Sequence, residues 1–326
     1  MLNVAIIGCG LIGRKRAEAL LGLANLTFCH DTNPNSSAQF ASDFECTNSH
    51  DLDSIIENTE IDAIFIATRH ASLASIAQRA VESGKSVFIE KPGAISKEAL
   101  QVVANLSKSK EVKVHVGYNH RHHRGIRKAI KIAESGEIGK VMFLRARYGH
   151  GGRVGYDKEW RADKKLSGGG ELIDQGTHLL DLTQAFLGNI TLEYGATPNY
   201  FWDMPVEDNA FIVVKNKSGG IGFLHASCTE WKNTFSLEVY GESGKLEING
   251  LGGSYGTEKL TYYKMVPEMG PPETHSWEYP MPDDSWRIEV EEFIHDIENG
   301  TEVSTNIDSS LKVLELVSEI YKGSGR

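Results

Sequence analysis

The 326-residue sequence predicts an α/β protein: a doubly wound parallel sheet, then a second α/β domain with a mostly antiparallel sheet. Three observations predict this. Short apolar strands alternate with helical patterns as far as Tyr118, and from Ile190 to Tyr279 strands follow one another with only turns between them. The first strand also runs directly into Gly8-Cys9-Gly10-Leu11-Ile12-Gly13, a G-x-G-x-x-G pattern. At about 150 residues per domain the length fits two. The rhythm changes near residue 120, so the expected domains are 1–120 and 121–326.

In the first domain, strands are expected at 3–7, 26–31, 63–67, 86–89 and 112–116, each an apolar run. Helical periodicity falls between them, at 11–21, 36–43, 52–58, 73–83 and 97–109. The second domain opens with a helix at 124–134, closed by Ser135-Gly136, and a strand at 141–148. A glycine-rich loop then leads into a helix at 171–187. Seven strands follow, at 190–196, 209–215, 221–228, 235–241, 245–249, 259–264 and 275–279, separated by turns such as Ser218-Gly219-Gly220 and Glu242-Ser243-Gly244. Helices at 285–299 and 309–321 end the chain.

Composition removes several function classes. A net charge of −10 argues against a protein that coats nucleic acid or an anionic membrane. No apolar run approaches the ~18 residues of a membrane span, and the apolar N-terminus lacks a basic flank and breaks at Gly8, unlike a signal peptide. Four cysteines, Cys9, Cys29, Cys46 and Cys228, are scattered without a C-x-x-C, which fits a reducing cytoplasm and removes zinc-ribbon and thioredoxin chemistry.

The glycine pattern, placed between a strand and a helix, is built to hold a pyrophosphate: glycine lets the backbone approach, and the helix start offers unpaired amides and a positive dipole end. Asp31 ends the second strand 18 residues after Gly13, where an acid can bond the ribose hydroxyls of NAD. NADP stays open, because Arg14 follows the pattern and can meet a 2′-phosphate. Lys91 emerges from the fourth apolar strand in Glu90-Lys91-Pro92, at the carboxyl edge where ligands of such sheets collect, and can hold a substrate hydroxyl. Asp174, His178 and Asp181 are spaced to share one helix face. A carboxylate beside an imidazole makes a general base; a three-ligand metal site and a capping Asp with an interior His are the other readings of that spacing. His120-Arg121-His122-His123-Arg124 reads as a linker whose first residues face a cleft, with Asn119 and Arg121 offered to substrate. The loop 149–170 supplies Trp160 for stacking and Arg161 for an anionic group. No metal ligand set is assigned.

Together the glycine pattern, Glu90-Lys91-Pro92, Gly117-Tyr118-Asn119-His120-Arg121, Gly136-Glu137-Ile138-Gly139 and Gly168-Gly169-Gly170-Glu171-Leu172-Ile173-Asp174-Gln175-Gly176-Thr177-His178 make the chain resemble the Gfo/Idh/MocA family over nearly its whole length. The resemblance implies a Rossmann domain followed by a domain with a large open sheet, and NAD(P)-linked oxidation or reduction of a sugar, sugar acid, nucleotide-sugar or cyclitol. It implies Lys91, Asp174 and His178 as the catalytic group, with the proton on either Lys91 or His178. Gly8, Gly10, Leu11, Ile12, Gly13, Asp31, Thr68, Glu90 and Lys91 are the expected cofactor contacts. The expected substrate contacts are Lys91, Asn119, Arg121, Trp160, Arg161, Asp174 and His178. One departure is plain: Thr68-Arg69-His70-Ala71-Ser72-Leu73 stands where many members carry Thr-Pro-Asn-x-x-His, which puts cofactor-edge contacts there in doubt.

An NAD-dependent glycoside hydrolase working by transient oxidation, and a non-catalytic dinucleotide-binding regulator, are the competing functions. The partners expected are a carbohydrate, and a second copy of the chain through the open sheet as a homodimer or homotetramer, with neither nucleic acid nor membrane. Between Lys113 and Lys165 there are 14 basic residues against five acidic ones, which points toward an anionic substrate.

Overall fold

The computed structural model describes residues 1–268, 270–301 and 306–325 and divides into two compact units. The first comprises Met1–Tyr118 and Trp286–Leu314, the second Asn119–Ser285 and Glu315–Arg326.

The first unit follows the expected alternation: β1 (Asn3–Ile7), α1 (Leu11–Leu20), β2 (Asn25–His30), α2 (Pro34–Phe44), β3 (Thr47–Asn48), α3 (Leu52–Ile56), β4 (Ala63–Ile66), α4 (His70–Glu82), β5 (Ser86–Glu90), α5 (Lys97–Lys110) and β6 (Val114–Gly117). All strands are parallel, in the order β3-β2-β1-β4-β5-β6, so successive strands are added on one side of β1 as far as β3 and on the other side from β4 onward. That switch point leaves a crevice at the carboxyl ends of the two strands, the place where such sheets bind ligands. The two-residue β3 carries too short a signal for periodicity to register.

The second unit contains α6 (Arg124–Glu134), β7 (Val141–Gly149), α7 (Lys164–Ser167), α8 (Thr177–Leu187), β8 (Ile190–Ala196), β9 (Asn209–Asn216), β10 (Ile221–Ser227), β11 (Thr234–Gly241), β12 (Gly244–Asn249), β13 (Glu258–Lys264) and β14 (Glu273–Tyr279). Its eight strands form one sheet, β14-β13-β12-β11-β7-β10-β9-β8, antiparallel except where β10 runs parallel to β7. Burial alternates along β11 and β12, as a sheet with one covered face requires. Phe235, Leu237, Val239, Leu246 and Ile248 face the core, while Tyr194, Phe211 and Phe223 remain 59%, 37% and 51% exposed. Among the described residues no helix is long and apolar enough to cross a membrane.

Two expectations need correction. The helix expected to run unbroken from Glu171 opens instead with a π turn, Leu172–Gly176, before α8 begins. The C-terminal helices α9 (Ser285–Asn299) and α10 (Ile307–Gly323) were placed in the second domain, yet most of α9 and the first half of α10 belong to the first unit. Packing is the reason: Val290, Phe293 and Ile294 of α9 join the apolar cluster of β1, β4 and β5, and Phe293 meets Phe65 and Phe88 edge-on at centroid distances of 5.5 and 5.4 Å.

The same return brings Glu289 to Arg16. The Arg16 guanidinium is 1% exposed, donates Nε to Glu90 at 2.6 Å and lies 2.8 Å from Glu289, between the rings of Phe88 and Trp286. Burial works against its charge, but Glu90 and Glu289 outweigh that and raise its pKa, whereas the burial of Glu90 outweighs Arg16 and leaves that carboxyl raised. Arg16→Met would strand two buried carboxyls, so chemical denaturation should show a loss of about 3–5 kcal/mol; a loss of less than about 1 kcal/mol, the scale of an exposed pair, would refute the role given to Arg16.

Candidate active site

The first unit presents the cofactor half. Gly8 has a φ of +101°, a conformation that glycine adopts readily, and a side chain there would overlap the Ala67 carbonyl across the crevice. A Cβ at Gly13 would overlap the Gly8 carbonyl, so α1 can follow β1 this closely only with glycine in place. Gly10 faces open space and caps α1 with no side-chain bond, which leaves the first amides of the helix available to an anion. Leu11 beside it is 73% exposed, an apolar residue at the mouth of the turn, while Ile12 is only partly exposed.

Asp31 follows β2 and accepts from the Cys9 amide with Oδ2 and from the Asn33 amide with Oδ1, both at 2.8 Å. It therefore braces the turn, and a carboxylate keeps further lone pairs for a ribose hydroxyl. Arg14 is held on α2, 2.5 Å from Asp43 and over the rings of Phe40 and Phe44. This set fits NAD: an open glycine turn, uncapped amides and an acid at the end of β2. Arg14, engaged with Asp43, does not offer itself to a 2′-phosphate. Thr68, after β4, bonds Ser72 on the first turn of α4, and His70 is buried there, so the departure noted above is a locally complete structure. Glu90 is tied to Arg16, which leaves Lys91 as the residue that leaves β5 at the carboxyl edge, before a cis bond to Pro92.

The second unit carries Asp174 and His178. Gly170 lets the chain run against Glu207, where any side chain would overlap the Glu207 carbonyl. The Glu207 carboxylate accepts from the amides of Gly170 and Leu172 at 3.0 and 3.1 Å and from the Tyr321 hydroxyl at 2.7 Å. It thus caps the helix that carries Asp174 and His178, a role that its sequence position alone does not reveal. Its neighbour Asp208 accepts from the amides of Tyr200, Phe201 and Trp202.

His178, on the first turn of α8, is 4% exposed and stacks on His120 with centroids 3.7 Å apart; Tyr148 meets both rings edge-on. Asp174 is paired with Arg161 at 2.9 Å, and Arg161 lies over the Trp160 ring at 4.7 Å. The charge of Asp174 raises the Arg161 pKa despite burial. The π turn changes the geometry on which the shared face of Asp174, His178 and Asp181 was inferred, so contacts must assign the roles. Asp181 is fully buried and takes two bonds from Arg121, both at 2.7 Å, which removes it from the metal set left open above. Arg121 and Asn119, offered to substrate by the sequence reading, are placed on Asp181 and on Ser285. His123 bonds Glu258 and Arg124 bonds Asp284, so most of the basic cluster is spent on the unit's own acids.

Sequence reasoning missed His120, Tyr148, Tyr255 and Glu171. The Tyr148 and Tyr255 rings lie 5.0 Å apart, and burial raises both hydroxyl pKa values. Burial, then the charge of Asp174, pushes the Glu171 carboxyl up to about 8. These contacts are long-range, and no spacing signals them.

A family profile described as an oxidoreductase family with an NAD-binding Rossmann fold matches residues 2–118, and the GFO/IDH/MocA C-terminal domain matches 126–247. The chain belongs to the Gfo/Idh/MocA family. Within it the chain is similar to the inositol 2-dehydrogenase of Rhizobium meliloti, 24% identical and covering 97% of this chain and 94% of that one. It is also similar to the levoglucosan dehydrogenase of Pseudarthrobacter phenanthrenivorans, 24% identical over 76% and 73% of the two chains. The 2,7-anhydro-N-acetylneuraminate hydratase of Escherichia coli is 26% identical over 76% and 68%. Among solved structures, a levoglucosan dehydrogenase in complex with NADH and levoglucosan superposes with a TM-score of 0.91 at 23% identity, covering 99% of this chain and 97% of that one. That likeness establishes the Gfo/Idh/MocA fold.

If Asp43 holds Arg14 away from a 2′-phosphate, Asp43→Ala should tighten NADPH several-fold and leave NADH affinity near wild type. Fluorescence titration with both nucleotides measures this, and unchanged NADPH affinity would refute it.

Proposed function

We propose that this protein is an NAD-dependent dehydrogenase that transfers hydride between a hydroxyl-bearing carbon of a sugar or cyclitol and nicotinamide. The observation that carries the reading is the buried, stacked imidazole of His178 in a chain whose other unit is an NAD-binding Rossmann fold. Alcohol oxidation releases a hydride and a proton. The bound nicotinamide accepts or returns the hydride. Lys91 polarises the hydroxyl, His178 is the general acid/base, and Asp174 anchors the substrate; Lys91 is the alternative carrier of the proton. Trp160 and Arg161 complete the proposed substrate wall. We favour a neutral sugar over an acidic one, because Arg161 and Arg153 are already paired with Asp174 and Glu159. Relatives named for levoglucosan and inositol support this class.

A second reading is transient oxidation followed by elimination, supported by the relatives named as hydratases. Stoichiometric reduction of NAD by the substrate favours the dehydrogenase; product formed without net NADH favours elimination. A panel of polyols, sugars and sugar acids with NAD and NADP identifies the substrate. Lys91→Ala and His178→Ala should each lower kcat about 10²-fold or more while NADH affinity stays near wild type. Near-normal turnover in both variants would overturn the assignment.

We also propose a homo-oligomer that covers the open sheet face, in the cytoplasm, where the four free thiols are stable. Exposed Tyr194, Phe211 and Phe223 make that face apolar toward its β8 edge. Light scattering should report a dimer or tetramer, and Phe223→Glu should shift it to monomer; an unshifted mass would place the interface elsewhere.

A further inference from the structure

Two carboxyls stand at the start of the catalytic helix, and the chemistry proposed above uses only Asp174. Glu171 is 1% exposed. Its Oε1 accepts from the Tyr156 hydroxyl at 2.8 Å, while Oε2 has no nitrogen or oxygen partner and lies by the Cys228 thiol. His150 Nε2 is 3.9 Å from Oε1, but burial lowers the His150 pKa, and its Nδ1 accepts from the Gly152 amide, as in a neutral ring. The other groups facing Glu171 are acids: Tyr148 on β7, Tyr255 between β12 and β13, Glu207 before β9, and Asp174. The cations facing His150 are Arg161, engaged with Asp174, and Arg153, engaged with Glu159.

An ionised carboxylate in this setting would be desolvated, with one oxygen offered only the weak donor of the Cys228 thiol and with like charge one turn away. A proton on Oε2 removes both penalties, leaves Oε1 to accept from Tyr156, and meets a weak acceptor in the thiol.

We infer that Glu171 is a neutral carboxylic acid at pH 7 and a positioning residue, which fastens the loop 150–167 through Tyr156 so that Arg161 on the same loop meets Asp174. The loop is then clamped at two points one helical turn apart, one by a neutral hydrogen bond and one by an ion pair. Ionisation of Glu171 places a second anion beside Asp174 and weakens the clamp. The positioning role rests on the function proposed above; the protonation state does not.

The linkage has a definite sign. The folded state keeps this proton to about pH 8, whereas an unfolded glutamate releases it near its ordinary pKa, so the term lowers stability as pH rises through that window and levels off above it. Infrared difference spectra of the full chain should show a carboxylic-acid carbonyl band at pH 7 that is lost in Glu171→Gln and titrates away in the wild type near pH 8. The Tm of Glu171→Gln should rise relative to wild type between pH 5 and pH 8, which only removal of a titrating group explains. The wild-type KM for the sugar should climb above pH 8 with kcat less affected, and the climb should be absent from Glu171→Gln. An unchanged acid band in Glu171→Gln would overturn the protonation. A KM climb that persists in the variant would overturn the positioning role and leave the dehydrogenase reading standing. If no sugar is turned over, that reading fails, and the infrared band still decides Glu171.

Discussion

The second unit of this molecule depends on one carboxylate placed where a helix begins. Glu207 takes the amides of Gly170 and Leu172 and the hydroxyl of Tyr321, and its own carbonyl takes the amide of Glu171. Four donors converge on one residue from a distant part of the chain, and they fix the point at which the glycine loop turns into helix. Because the start is fixed, the π turn holds Asp174 toward Arg161, and His178 on the next turn meets His120. The glycines are the sequence's share of this arrangement: a side chain at Gly170 would occupy the space of the carbonyl it must approach.

Buried charge is managed in both units by the same rule, that each charge is enclosed together with its partner or gives up its charge. Arg16 sits between Glu90 and Glu289, and Arg121 forks onto Asp181. Each pair joins segments distant in sequence, so its value lies less in net stability than in fixing which segments meet. Around Arg16 that includes the strand end from which Lys91 departs and the helix that carries the glycine turn.

Folding offsets more than half of the local excess of basic residues between Lys113 and Lys165, because five of the fourteen meet acids from elsewhere in the chain. Arg121, Arg124, Arg145, Arg147 and Arg161 are matched by Asp181, Asp284, Glu238, Glu230 and Asp174, all outside that segment. A charge count along the chain cannot see partners that arrive from other strands. The expectation of an anionic substrate rested on that count, and the pairing weakens it.

By itself the sequence determined the alternation of the first unit, the strands of the second, the glycine turn with Asp31, and the positions of Lys91, Asp174 and His178. These are local: period, turn chemistry and short motifs are written in consecutive residues. Tertiary structure alone decided that α9 completes the first unit, that the helix of Asp174 and His178 opens with a π turn, that His120 stacks on His178, and that Arg121 serves Asp181. It also decided that Glu171, unremarkable in a string of glycines and apolar residues, lies buried between the Tyr156 hydroxyl and the Cys228 thiol. The division has a physical reason: desolvation and pairing depend on what surrounds a group in space, and the sequence records only what precedes and follows it.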